Sequence, residues 1–384
     1  MDFHDSEEHR ALRAAVGAIA GGFGGAYFAR KAEAREPTTE LWQALGDHGY
    51  VGINVPEEYG GSGAGLVELA IVCEESAAQG CPLLLLLVSS AISAEVIATY
   101  GTDQQRKEWL PRLATGEGKV VFAITEPEAG SNTHRLSTTA TRDGANYVLR
   151  GEKYYISGVD DADAVLVVAR TGVEEATGHA RLSLFIVDAD APGLVRRPLP
   201  VSVTLPERQF TLHFDDVVVG ADRLVGTEGD GFAQVFHGLN PERITGAAVC
   251  VGIGRYALAR AAEYASTRVV WDRPIGTHQG VSHALAKAKI EVELAALMTA
   301  RAAWCHDNGE PAGEAANMAK YAAAEAALAA VDAAIQCHGG NGLAVEYGLI
   351  PLWGLARLLR IAPVNREMIL NYVAQHSLGL PRSY

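Results

Sequence analysis

The residues of this chain that could do chemistry fall in a few short strings. Val120-Val121-Phe122-Ala123 reads as a short buried strand, and it leads into Ile124-Thr125-Glu126-Pro127-Glu128-Ala129-Gly130-Ser131-Asn132. Pro127 removes a backbone donor and fixes φ, while Gly130 lets the backbone bend and a ligand come close. Thr125, Ser131 and the amides around Gly130 can therefore hydrogen-bond a phosphate or a ring edge; a plain polar turn is the alternative. A second glycine-rich string, Tyr59-Gly60-Gly61-Ser62-Gly63, is not followed by Gly-Lys-Ser/Thr and is not a Walker loop. Gln336-Cys337-His338-Gly339-Gly340-Asn341-Gly342 closes an Ala-rich run with glycines suited to a helix C-cap. Leu239-Asn240-Pro241-Glu242-Arg243 reads locally as a helix start. Asn240 suits the N-cap, Pro241 suits N1, and Glu242 complements the helix dipole in the first turn.

Three blocks of different character must position these strings, and they make the expected fold class α+β. From residue 4 to about 118 apolar residues recur at helical spacing, as in Leu12, Val16, Ile19 and in Leu41, Trp42, Leu45. One helix is expected over Gln104–Ala114, and a buried one in the Leu-rich run Pro82–Ala91, which is too short to span a bilayer. From Val120 short Val/Tyr/Thr-rich runs alternate with turns, which predicts an antiparallel β-domain with Asp143-Gly144 as a hairpin turn. After Gly229-Asp230-Gly231 the pattern is helical again and predicts a bundle of long helices. The domains are thus expected at 1–118, 119–225 and 226–384.

Composition narrows the function. A net charge of −14 argues against a general nucleic-acid binder, which needs a basic face. The five cysteines are scattered without CxxC spacing, so neither a disulfide frame nor a zinc site is indicated and a reducing interior is expected. The first residues lack a basic-then-apolar signal pattern, no integral membrane segment is expected, and the cytoplasm is the expected compartment.

The string from Ile124 to Asn132 resembles the flavin loop of the acyl-CoA dehydrogenase family, and the resemblance runs over nearly the whole chain. Pro56-Glu57-Glu58-Tyr59-Gly60-Gly61-Ser62-Gly63 is similar to the family's N-terminal "PEEYGGsG" segment. The resemblance implies a helical, β, helical three-domain fold ending in a four-helix-bundle-like domain. It also implies FAD as cofactor, with Phe122, Ile124, Thr125, Gly130 and Ser131 at the flavin. Gly151-Glu152-Lys153-Tyr154-Tyr155-Ile156-Ser157-Gly158 resembles the family's "G-x-K-x-W/Y-I-T/S-N/G". This implies Tyr155 beside the isoalloxazine and Ser157 hydrogen-bonding near N5. The run from Arg268 to Gln279 resembles "R-x-x-F-G-x-P-I-x-x-x-Q", with Trp271-Asp272 in place of Phe-Gly. There the resemblance sets Arg268 on the pyrophosphate of a neighbouring subunit's flavin, which a guanidinium fork suits, and Gln279 on the adenosine side. Gln336, Gly339 and Gly340 match "Q-x-x-G-G-x-G", whose bare backbone takes the adenine end of a second subunit's flavin. The resemblance implies a homotetramer, as a dimer of dimers, with a hetero-oligomer as the alternative.

The implied reaction removes a proton from Cα and a hydride from Cβ of an acyl-CoA thioester, and it needs a carboxylate base. Most of the family carries that base as Glu in a C-terminal "I-Y-E-G-T" string; here the matching string is Ile361-Ala362-Pro363-Val364-Asn365, with no carboxylate. The isovaleryl-CoA and long-chain subgroup carries it in a string like "L-D-L-E-R", and Glu242 falls at that place, with Arg243 expected to orient the site or hold substrate through hydrogen bonds. A helix terminus should lower the pKa of Glu242 and burial should raise it. The family's "R-D-A" reads Gly354-Leu355-Ala356 here. The resemblance further implies transfer of electrons to an electron-transferring flavoprotein. The alternatives are a catalytically silent subunit and a flavin oxidase or monooxygenase on the same fold. Chain length and branching of the substrate are not legible.

Overall fold

The computed structural model describes residues 5–174 and 178–382. The N-terminal block is helical: α1 (Glu7–Ala34), α2 (Thr39–Gly46), α3 (Leu66–Ala78), a π-helical segment Leu86–Ala94, α4 (Glu95–Tyr100) and α5 (Asp103–Thr115). Local chemistry starts and stops these helices. Ser6 caps α1 by accepting from the His9 amide, Thr102 and Gln105 form a reciprocal capping box on α5, and Gly116 ends α5 at φ 75°. The Leu-rich run is buried, as expected, and enters the π-helical segment.

The middle block is one eight-stranded sheet: β1 (Val120–Ala123), β2 (Thr139–Asp143), β3 (Asn146–Ser157), β4 (Ala164–Val173), β5 (Ala180–Asp188), β6 (Leu194–Pro198), β7 (Gln209–Gly220) and β8 (Leu224–Val225). Its order is β6-β7-β3-β2-β4-β5-β8, with β1 beside β4. It is antiparallel, as expected, apart from two parallel ladders, β1 with β4 and β2 with β4. The Asp143-Gly144 hairpin forms, with Gly144 at φ 59°. The sheet is covered on both faces. Along β4, Val165, Val167 and Ala169 join one core, and Ala164, Leu166 and Val168 join another with Ile92, Val96, Trp109 and Leu113.

The C-terminal block is helical again: α6 (Gly231–Thr267), a ribbon of β9 (Val269–Val270) and β10 (Arg273–Pro274), α7 (Gln279–Asp307), α8 (Gly313–His338), α9 (Leu349–Leu359) and α10 (Arg366–His376). Small residues let α6, α7 and α8 approach closely: a Cβ on Gly254 would stand 2.7 Å from Val292. One local expectation fails here. No helix starts at Asn240. α6 runs from Gly231 straight through Pro241, and burial of this stretch outweighs the proline's missing donor. The altered Gly354-Leu355-Ala356 string lies in α9, with Leu355 and Ala356 fully buried and Gly354 against Val203 of the middle block.

Candidate active site

The loop after β1 is braced from beneath by a buried ion pair. Glu126 accepts from the Ser137 amide (2.6 Å), the Ser137 hydroxyl (2.7 Å), the Thr138 amide (2.9 Å) and Lys153 Nζ (2.9 Å). Lys153, 0% exposed on β3, also donates to the Ile124 carbonyl at 2.9 Å. Burial works against both charges, but Lys153 and the donors around the carboxylate outweigh it and hold Glu126 at about 2. The loop is thereby fixed, while its outer rim stays open. Gly130 and Ser131 are exposed, and a Cβ on Gly130 would meet nothing within 4 Å. Ile124 and Thr125 are partly buried; the Phe122 side chain lies in the core, so only its backbone is on offer.

β3 meets this loop through the Tyr154 amide, which donates to the Thr125 carbonyl at 2.8 Å. The register of β3 against β7 then shifts between Lys153 and Ile156. That bulge puts Tyr155 at φ 58° and leaves its ring 54% exposed, edge-on to Tyr154. Two residues on, Ser157 exchanges hydrogen bonds with the buried Gln209 of β7, at 2.9 and 3.1 Å. Gln209 was not picked out from the sequence, because only the β3–β7 pairing brings it to Ser157.

Glu242 and Arg243 sit inside α6. With no helix terminus beside it, only burial and neighbouring charges act on Glu242. Burial lifts its carboxyl to about 7, against the pull of Arg243 and Lys320. Protein crowds the carboxyl, yet the residue keeps partial access to water. Arg243 is 9% exposed; its Nη1 donates to Asn240 Oδ1 at 2.8 Å, and its buried Nε has no partner. Asn240 is therefore a ligand of Arg243 rather than a cap. The Pro363 turn closes on the same place. Lys320 Nζ donates to the Val364 carbonyl at 2.6 Å. Asn365 caps α10 through the Met368 amide and donates to Ser131 Oγ at 2.8 Å, which ties this turn to the loop after β1.

The other predicted residues gather at the far end of α6, about 39 Å from Glu242 along the helix. Arg268 caps α6 and, among the described residues, its side chain has no hydrogen-bond or ion-pair partner. Trp271 and Asp272 form the turn of the β9–β10 ribbon at φ 53° and 66°, a primed hairpin turn that points Trp271 outward, 84% exposed. Gln279 opens α7 and is exposed. Gln336, Gly339 and Gly340 end α8, all exposed, with no atom within 4 Å of where a Cβ would stand on either glycine. His338 packs as a cap residue, stacked on Tyr264 and bonded to the Ala334 carbonyl, which joins this cluster to the end of α6. The structure thus brings the loop after β1, Tyr155, Ser157 and the Glu242 region to one place, and Arg268, Gln279 and the Gly339-Gly340 step to another. Among the described residues no cluster of His, Cys, Asp and Glu could hold a metal ion, and no helix is long and apolar enough to cross a membrane.

Comparison with known proteins gives the same division of the chain. Family models described as acyl-CoA dehydrogenase N-terminal, middle and C-terminal domains match residues 6–117, 121–217 and 229–378. The chain is 56% identical to the acyl-CoA dehydrogenase FadE12 of Mycobacterium tuberculosis, over 100% of this chain and 99% of that protein. A solved glutaryl-coenzyme A dehydrogenase complex with glutaryl-CoA superposes with a TM-score of 0.95 at 30% identity, over 100% of this chain and 98% of that one. An FAD complex of PigA superposes at 0.92 and 26% identity, over 99% and 100%.

Proposed function

Because this chain belongs to the acyl-CoA dehydrogenase family, we propose that it catalyses FAD-dependent α,β-dehydrogenation of an acyl-CoA thioester, with Glu242 as the base that takes the α-proton. One observation carries this reading: the Glu242 carboxyl is poorly hydrated, is lifted to about 7, and feels the charge of Lys320, which holds the Pro363 turn that is bonded to the loop after β1. A base with a pKa near working pH combines a useful ionised fraction with a strong pull on the proton. Arg243 orients the site, and its unpartnered Nε offers a donor to a bound acyl chain or thioester.

The residues fit a flavin dinucleotide. Thr125, Ser131 and the open backbone at Gly130 supply donors; Tyr155 supplies an aromatic face, and Ser157, held by Gln209, a hydroxyl for the ring. The Ile124 and Phe122 backbones line the same edge. Arg268, Gln279, Gln336, Gly339 and Gly340 suit the diphosphate and adenosine, and their distance from Glu242 supports their serving the cofactor of a second copy. When bound, the flavin supplies the hydride acceptor for Cβ, and the electrons leave to an electron-transferring flavoprotein.

The assembly is a homotetramer in this reading. Ile290, Leu294, Leu297 and Trp304 form an outward apolar stripe along α7, each about half exposed in the single chain. The cysteines are free thiols, three of them buried, which suits a reducing cytoplasm. The test is an anaerobic visible spectrum titrated with a panel of acyl-CoAs. A yellow protein that one thioester bleaches supports the reading. A protein that no thioester bleaches points to a silent subunit, and bleaching without CoA to an oxidase or monooxygenase. Glu242→Gln should slow bleaching by about 10²–10⁴-fold.

A further inference from the structure

α6 and α8 run in the same direction. Gly254 faces Ala327, the Cys337 thiol reaches the Ala261 carbonyl, and Tyr264 stacks on His338, so matched positions advance together along both helices. Carried back toward the N-termini, that register sets Lys320 about one turn beyond the level of Glu242. Helical side chains lean toward their own N-terminus, so the long Lys320 stem carries its ammonium back toward Glu242.

Lys320 is 2% exposed, and its three donors find one acceptor, the Val364 carbonyl at 2.6 Å. A buried ammonium needs a counter-charge. The titratable groups around it are Cys250, Glu242 and Arg243 of α6 and Glu325 of α8, with Tyr372 of α10 facing Arg243. Cys250 is a buried thiol pushed up to about 12 and so stays neutral. Arg243 has the same sign as Lys320. Glu325 is taken by Arg360 and Arg366. Glu242 is the carboxylate that remains.

We propose that Lys320 is a positioning residue of this site: one donor pins the Val364 carbonyl, and with it the Pro363 turn, while its charge faces Glu242. One side chain then sets both the base and the turn that closes over it, and Asn365, next in the chain, carries the restraint to Ser131. The inference rests on Glu242 as the base. Burial moves the two groups toward each other, Glu242 up to about 7 and Lys320 down to about 8, so both are charged mainly between those values.

The test is a double-mutant cycle on the thermal midpoint of the purified full chain, which needs neither ligand nor turnover. Lys320→Met and Lys320→Gln are each made in the wild-type and Glu242→Gln backgrounds. At pH 7.5 Lys320→Met should lower the midpoint by about 2 °C or more beyond its effect in the Glu242→Gln background. At pH 5.5, with Glu242 protonated, that excess should vanish. Lys320→Gln keeps a donor for Val364 without the charge. It should recover part of the lost stability and show the same excess at pH 7.5, and it carries the cycle if Lys320→Met does not fold. Equal effects in both backgrounds at pH 7.5, or an excess of the same size at pH 5.5, would overturn the proposal and leave Lys320 a pin for Val364 alone. A Glu242→Gln enzyme that still bleached at full rate would remove the base assignment without altering the cycle.

Discussion

α6 holds the Glu242 carboxyl where water solvates it poorly, which suits the base proposed for it, and the same fact marks the stability of the fold. A carboxyl raised from its ordinary 4.5 to about 7 favours the folded state at low pH, and that contribution is lost as pH rises through about 7. Glutamine carries no such dependence. The midpoint of Glu242→Gln minus that of wild type should therefore rise between pH 5 and pH 8 and then level off. A difference that stays flat over this range would mean that the carboxyl ionises as freely folded as unfolded. The same titration sets the rate: bleaching by substrate should quicken as pH rises through about 7, because the ionised form takes the proton.

At the scale of elements, the loop after β1 depends on a charge it does not display. Lys153→Met removes one partner of a fully buried pair and leaves Glu126 with its charge uncompensated. This should cost about 3–5 kcal/mol in denaturant unfolding and loosen FAD retention as the loop relaxes. Stability within about 0.5 kcal/mol of wild type would show that the pair does not brace the loop. This pair also marks the limit of what the sequence discloses. The helical blocks, the short strands and the glycine ends are written in local spacing, so they can be read in order, whereas the Glu242 string stands out only through the family resemblance. The Glu126–Lys153 pair, the Gln209–Ser157 exchange and the Asn365–Ser131 bond exist only after distant segments meet. At Asn240-Pro241 the local signal misled: the residues spell a helix start, but packing carries α6 through them.

At the scale of the whole molecule, the residues proposed for the two halves of a dinucleotide site lie far apart along α6, one set near Glu242 in its first half and the other at Arg268 beyond its C-terminus. A two-fold pairing answers this separation, since each copy can bring its Arg268 end to the other's Glu242 region and bury the α7 stripe in the process. Complementation tests this directly. Glu242→Gln chains should hold FAD without turning over, and Arg268→Glu chains should lose FAD by setting an anion against the diphosphate. Co-expressed, they should form mixed dimers in which one site carries both faults and the other carries neither. Random pairing would then restore about a quarter of wild-type bleaching. If one chain built its whole site, every site would keep one fault and the mixture would stay as inactive as its parts.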